Sequence, residues 1–65
     1  MPSNVIAHMS YDVVTQVLSI VFVSGSIYHY LSVPEQEYQA MKSAFSKGTY
    51  LNTHIKNKYP FRKIK

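Results

Sequence analysis

The stretch Val17 to Leu31, VLSIVFVSGSIYHYL, decides the fold. Two runs rich in β-branched and aromatic residues flank Ser24-Gly25, which is the composition of a β-hairpin. Its register matters, because a slip of one residue moves every side chain to the other face. With Gly25 in the left-handed position of a three-residue loop with a bulge, Phe22 opposes Ser26, Ile20 opposes Tyr28 and Leu18 opposes Tyr30. A two-residue Ser24-Gly25 turn would instead bring Ile27 and Leu31 beside Phe22 and Leu18. Glycine in second place does not suit a type II′ turn, which favours the first register. Leu18, Ile20, Phe22, Tyr28 and Tyr30 then share the main core face. Val21, Val23, Ile27 and Leu31 fall on the other face. That is much apolar surface to leave wet, and it points to a partner, a second element or a dimer.

Working outward, Asn4 to Tyr11 (NVIAHMSY) shows the near-alternation of a first strand. Asp12 to Gln16 reads as a turn opened by an Asp able to bond nearby amides. After the hairpin, Val33-Pro34 opens a helix, with proline suited to the first helical position. Ser32, three residues before Glu35, matches a capping box and is the expected N-cap. Glu35 and Glu37 complement the helix dipole in the first turn. Val33, Tyr38, Met41, Ala44 and Phe45 form one apolar stripe, and Gly48 is the natural C-cap. A second helix starts at Gly48 or Thr49, carries Leu51 and Ile55 one turn apart, and stops at Pro60. Residues 60–65 (PFRKIK) read as a basic tail with Phe61 and Ile64 as anchors. The expected fold class is α+β, a three-stranded antiparallel β-meander followed by two short helices packed on one face. Residues 1–59 form the single domain.

The chain has 65 residues, enough for one domain with a thin core. It has no cysteine, so neither a disulfide nor a thiolate zinc site is available. No basic run followed by an apolar stretch opens the N-terminus, so no signal peptide is expected. No apolar run approaches the roughly 20 residues of a membrane span. The expected location is the cytoplasm. Charge is unevenly placed: Asp12, Glu35 and Glu37 are the only acids, and all seven Lys and Arg lie from Lys42 onward, for a net +4. Such a molecule has one strongly positive end.

An ordered series of residues resembles a known family. Tyr11-Asp12, Leu18-x-Ile20-x-Phe22, Gly25, Tyr28-x-Tyr30, Val33-Pro34, Ala44-x-Ser46-x-Gly48, Tyr50, Asn52, Ile55 and Tyr59 are similar to the KTSC domain. That family is named for its place at the C-terminus of some lysyl-tRNA synthetases, and it also occurs as small stand-alone proteins in bacteria and phages. The resemblance spans Val5 to Tyr59. It carries over no catalytic residues, and its synthetase context implies RNA binding.

The residues themselves argue against catalysis. The three acids are dispersed, and Glu35 and Glu37 point to different helix faces. His8, His29 and His54 have no spacing that forms a nucleophile–base pair or a metal site. Two glycines, Gly25 and Gly48, cannot build a phosphate-binding loop. The protein is therefore expected to be a non-enzymatic binding domain without metal or cofactor. Tyr28 and Tyr30 read in two ways, as stacking platforms for unpaired bases or as core residues with hydroxyls reaching the edge.

The basic third supports nucleic acid. Asn52, Lys56 and Tyr59 fall at i, i+4 and i+7 on one helix face, with Leu51 and Ile55 about 100° away. Ser46, Lys47 and Thr49 are placed to form an anion nest at the helix start. Tyr50, Lys58, Arg62 and Lys63, with Lys65, extend the basic surface. Four bases on phosphates of a single strand would give a salt slope near −3. The expected partner is nucleic acid, RNA rather than DNA, bound mainly through its backbone. The alternatives are a protein partner or homodimer, which the apolar outer face also suits, and a nucleotide. No membrane partner is expected.

Overall fold

In the computed structural model, which describes residues 5–65, the hairpin adopts the register that its glycine favours. β2 (Val17–Phe22) pairs antiparallel with β3 (Ile27–Tyr30), setting Leu18 opposite Tyr30 and Ile20 opposite Tyr28. Gly25 takes φ +96°, and the Phe22 amide donates to the Ser26 carbonyl at 2.8 Å. That backbone conformation is open to glycine without steric cost. β1 (Ile6–Asp12) pairs antiparallel with β2, and the expected strand start at Asn4 lies outside the described residues. Between Ile6 and His8 the ladder bulges, giving β1 one residue more than its partner. Ile6, Met9 and Tyr11 thereby all face the core, opposite Phe22, Ile20 and Leu18. At the far end the Asp12 carboxylate accepts from the amides of Val14 (2.9 Å) and Thr15 (3.3 Å), as an Asp opening a turn should.

The sheet has four strands where the sequence predicts three. Phe61–Lys63, read from sequence as part of a tail, forms β4 and pairs antiparallel with β3, giving the order β1-β2-β3-β4. The physical reason lies in β3, whose second edge would otherwise expose unpaired backbone groups. The Leu31 amide donates to the Pro60 carbonyl at 2.8 Å, and the Ile27 backbone exchanges bonds with Ile64 and Lys65. Pro60 enters an edge strand, where its missing N–H removes no ladder bond.

The first helix, α1 (Glu35–Lys42), starts two residues later than the capping box implies. Pro34 holds the cap position in extended geometry with no side-chain cap bond, and Ser32 sits at φ +58°, so it is not the N-cap. Two constraints produce the shift. A residue before proline is disfavoured in helical geometry, and the Val33 amide is committed to the Gln16 carbonyl at 2.9 Å. α1 also ends early, at Lys42, so Phe45 leaves the predicted apolar stripe and stands 93% exposed.

Gly48 is not a C-cap; it is buried inside the next helix, α2 (Lys47–Tyr50). Ser46 caps α2, its hydroxyl accepting from the Thr49 amide at 3.3 Å. The chain runs on into a π-turn, Leu51–Ile55, closed by the Lys56 amide on the Leu51 carbonyl at 2.8 Å. Leu51 and Ile55 are both buried there. With Leu18, Ile20, Tyr30, Val33 and Met41 they form the core between sheet and helices. No helix among the described residues is long and apolar enough to cross a membrane.

Candidate functional site

The helices seal Leu18 and Ile20 completely but leave Phe22 and Tyr28 half-buried on the same sheet face. Beside them opens a groove of about 490 Å³, walled by β2, β3 and β4 on one side and by Gly48, Leu51, Asn52 and Lys56 on the other. That volume falls in the range of small-ligand pockets, roughly 300–1,000 Å³. Its floor is aromatic. Tyr28 and Tyr30 stack with centroids 6.4 Å apart, and Phe22 meets Tyr28 edge-on at 5.5 Å. Phe61 leans over both tyrosines at 5.6 and 5.9 Å while staying 54% exposed.

The two sequence alternatives for the tyrosines therefore divide between them. Tyr30 is core, 2% exposed, and burial followed by the neighbouring Tyr28 pushes its hydroxyl pKa up. Tyr28, one pair further along the strand, remains half-buried in the groove.

Besides the tyrosine hydroxyls, the polar side chains of the groove among the described residues are Ser24, Ser26, Asn52 and Lys56, and none of the described lining residues is an acid. Lys63 lies opposite Tyr28 on β4, hence on the same sheet face, whereas Arg62 pairs with His29 and takes the outer face. The basic strand thus splits between the two surfaces. Lys47 is exposed and does not line the groove. At the anion nest expected at Ser46, Lys47 and Thr49, one backbone donor is already engaged. The Ser46 hydroxyl itself takes the Thr49 amide and bonds the Thr49 hydroxyl at 3.0 Å.

Tyr50, Lys58 and Tyr59 gather elsewhere, around Glu37 of α1. The Tyr50 hydroxyl donates to Glu37 Oε1, while the Tyr59 hydroxyl (2.8 Å) and Lys58 Nζ (3.3 Å) share Oε2. Burial pushes the Glu37 carboxyl up, but the hydrogen bonds from Tyr50, Tyr59 and Lys58 outweigh it and hold the pKa below its ordinary value. The Tyr50 hydroxyl, hydrogen-bonded to Glu37 and partly desolvated, is pushed up to about 12. Tyr59 reaches about 12 through desolvation and the same carboxylate. This cluster spends its donors internally and ties α1 to the second helical segment. Tyr59 is thereby drawn away from Asn52 and Lys56, with which helical spacing alone would group it. Sequence missed Glu37 because none of its three partners lies within a helical turn of it. It also left Phe22 and Phe61 out of the site, since neither carries a polar or charged signal. Among the described residues, no three His, Cys, Asp or Glu side chains come together as a metal site.

Comparison with known proteins gives one consistent result. The family model described as the KTSC domain matches residues 2–59. The lysine–tRNA ligase of Nostoc punctiforme is 41% identical over 61 residues, 94% of this chain, and that of Trichormus variabilis is 37% identical over 54 residues, 83% of it. The chain spans only 11% and 10% of those two enzymes. The crystal structure of a KTSC domain protein from Yersinia pestis is 37% identical with a TM-score of 0.89, covering 100% of this chain and 94% of that one.

Proposed function

The chain belongs to the KTSC domain family, and on that premise we propose that it is a non-catalytic domain binding single-stranded RNA in the aromatic groove. The observation carrying this reading is an open aromatic floor beside a rim that has a lysine and no acid. Bases stack on exposed aromatic rings for about 1–3 kcal/mol each, whatever their sequence. A duplex hides those faces, so the groove selects unpaired strands. Lys56 and Lys63 meet the backbone, and two of the three acids are engaged elsewhere: Asp12 caps a turn and Glu37 is held by its three donors. RNA is favoured over DNA because the relatives sharing this segment are named as tRNA ligases. Work on such RNA would place the protein in the cytoplasm.

The test is a fluorescence-anisotropy titration of labelled single-stranded RNA at two salt concentrations. Log K should fall against log salt with a slope between about −1.4, for Lys56 and Lys63 alone, and about −3 for four bases. Phe61→Ala should weaken binding by about 1–3 kcal/mol. Absence of binding at low salt would sink the reading. The sheet's outer face favours a second one. Val17, Val21, Ile27 and Leu31 are half-buried there, which suits a protein contact or a homodimer. Sedimentation that shows association abolished by Ile27→Asp would support it.

A further inference from the structure

Two polar residues on the groove's helical wall, Asn52 and Lys56, do different chemistry, and their placement traces to the π-turn. Leu51 and Ile55 point into the core. Asn52 and Lys56 each follow one of them in the chain and line the groove, one helical step apart. Neighbours at that separation on a helix surface lie about 5–6 Å apart at Cβ. Single π-turns are uncommon and concentrate at functional sites. Nearby polar side chains are spent on the helix itself, Ser46 on the Thr49 amide and Thr53 on the Thr49 carbonyl. Asn52 instead brings a carboxamide to the groove wall, the one side-chain amide among the described residues lining it.

A carboxamide offers one donor and one acceptor side by side, and it pairs bidentately with the amino group and ring nitrogen of adenine. The floor offers the ring faces of Tyr28 and Phe61. Lys56, with no acid in the lining to compete, complements a phosphate. Resting on the RNA-binding reading above, we infer that Asn52 reads the edge of one unpaired base in the groove and selects adenine, while Lys56 holds the backbone. Backbone contacts alone position a strand without reading it. A groove lysine and a groove amide therefore have separable effects.

The experiment measures anisotropy of equal-length oligo-A, oligo-C and oligo-U with the full chain, Asn52→Ala and Lys56→Ala, each over a salt series. Circular dichroism checks that the variants fold, which both exposed positions should permit. The wild type should prefer oligo-A by about five-fold to a hundred-fold. Asn52→Ala should bring the three oligomers within about two-fold of one another and leave the salt slope unchanged. Lys56→Ala should reduce the slope by about 0.7 and keep the preference. Binding without base preference, or an oligo-A preference that Asn52→Ala leaves intact, overturns the inference while leaving RNA binding standing. No binding to any oligomer overturns the RNA reading itself, and the inference with it.

Discussion

Glu37 shows how much one side chain can organise without any local signal. Its carboxylate accepts from Tyr50, Tyr59 and Lys58, and its own side chain is only 12% exposed while that of Lys58 is 62% exposed. The lysine is therefore the weak partner. Lys58→Ala should cost under about 1 kcal/mol, as exposed ion pairs do. Glu37→Gln should cost about 1–3 kcal/mol, because the tyrosine hydroxyls lose a charged acceptor; urea midpoints separate the two. The same cluster fixes the pH response. Glu37's folded pKa lies below the ordinary 4.5, so its contribution is present above that value and lost as pH falls through the lower, folded one. Tyr50 and Tyr59 rise from 10 to about 12, so their contribution is full below pH 10 and lost between pH 10 and about 12. Stability against pH should show that plateau, and Glu37→Gln should flatten its acid edge. Phe45 gives the opposite lesson. Helical spacing assigns it to the core, but α1 ends before reaching it. Phe45→Ser should change stability by no more than about 0.5 kcal/mol, whereas Ile20→Ala should cost about 2–5 kcal/mol.

Among the elements, the β2–β3 hairpin was legible in the sequence and β4 was not, for reasons of local chemistry. Gly25 admits a positive φ, and that one residue selects the register that assigns every side chain between Leu18 and Tyr30 to a face. Phe61 to Lys63 carry no such constraint. Three residues, two of them basic, have little strand propensity, and they become a strand because β3 offers an open edge. The capping box at Ser32 failed for a related reason, since a long-range bond from Val33 to Gln16 overrode a local pattern. Deleting residues 61–65 should cost roughly 2–4 kcal/mol, at a net ~1 kcal/mol per lost ladder bond, with thermal denaturation as the measure. If the proposed RNA-binding reading holds, the deletion also weakens that binding by removing Phe61 and Lys63 together.

For the whole molecule, the positive charge lies in the last third of the chain, and the fold redistributes it. Lys56 and Lys63 border the groove face, Arg62 turns to the outer face, and Lys58 is held by Glu37. Of the candidate site, Tyr28, Tyr30, Asn52 and Lys56 come together as one surface. Tyr50 and Tyr59 form a structural clasp instead, because long-range packing decides their partners. The aromatic groove, with its amide and lysine on the facing wall, is the surface on which the functional account depends. The most direct test is an NMR titration of the labelled protein with single-stranded RNA, mapping which residues respond. Shifts are expected to concentrate at Phe22, Tyr28, Asn52, Lys56 and Phe61, with His29 and Ser19 on the outer face unmoved. Shifts centred on the outer face, or none anywhere at low salt, would contradict the RNA-binding reading.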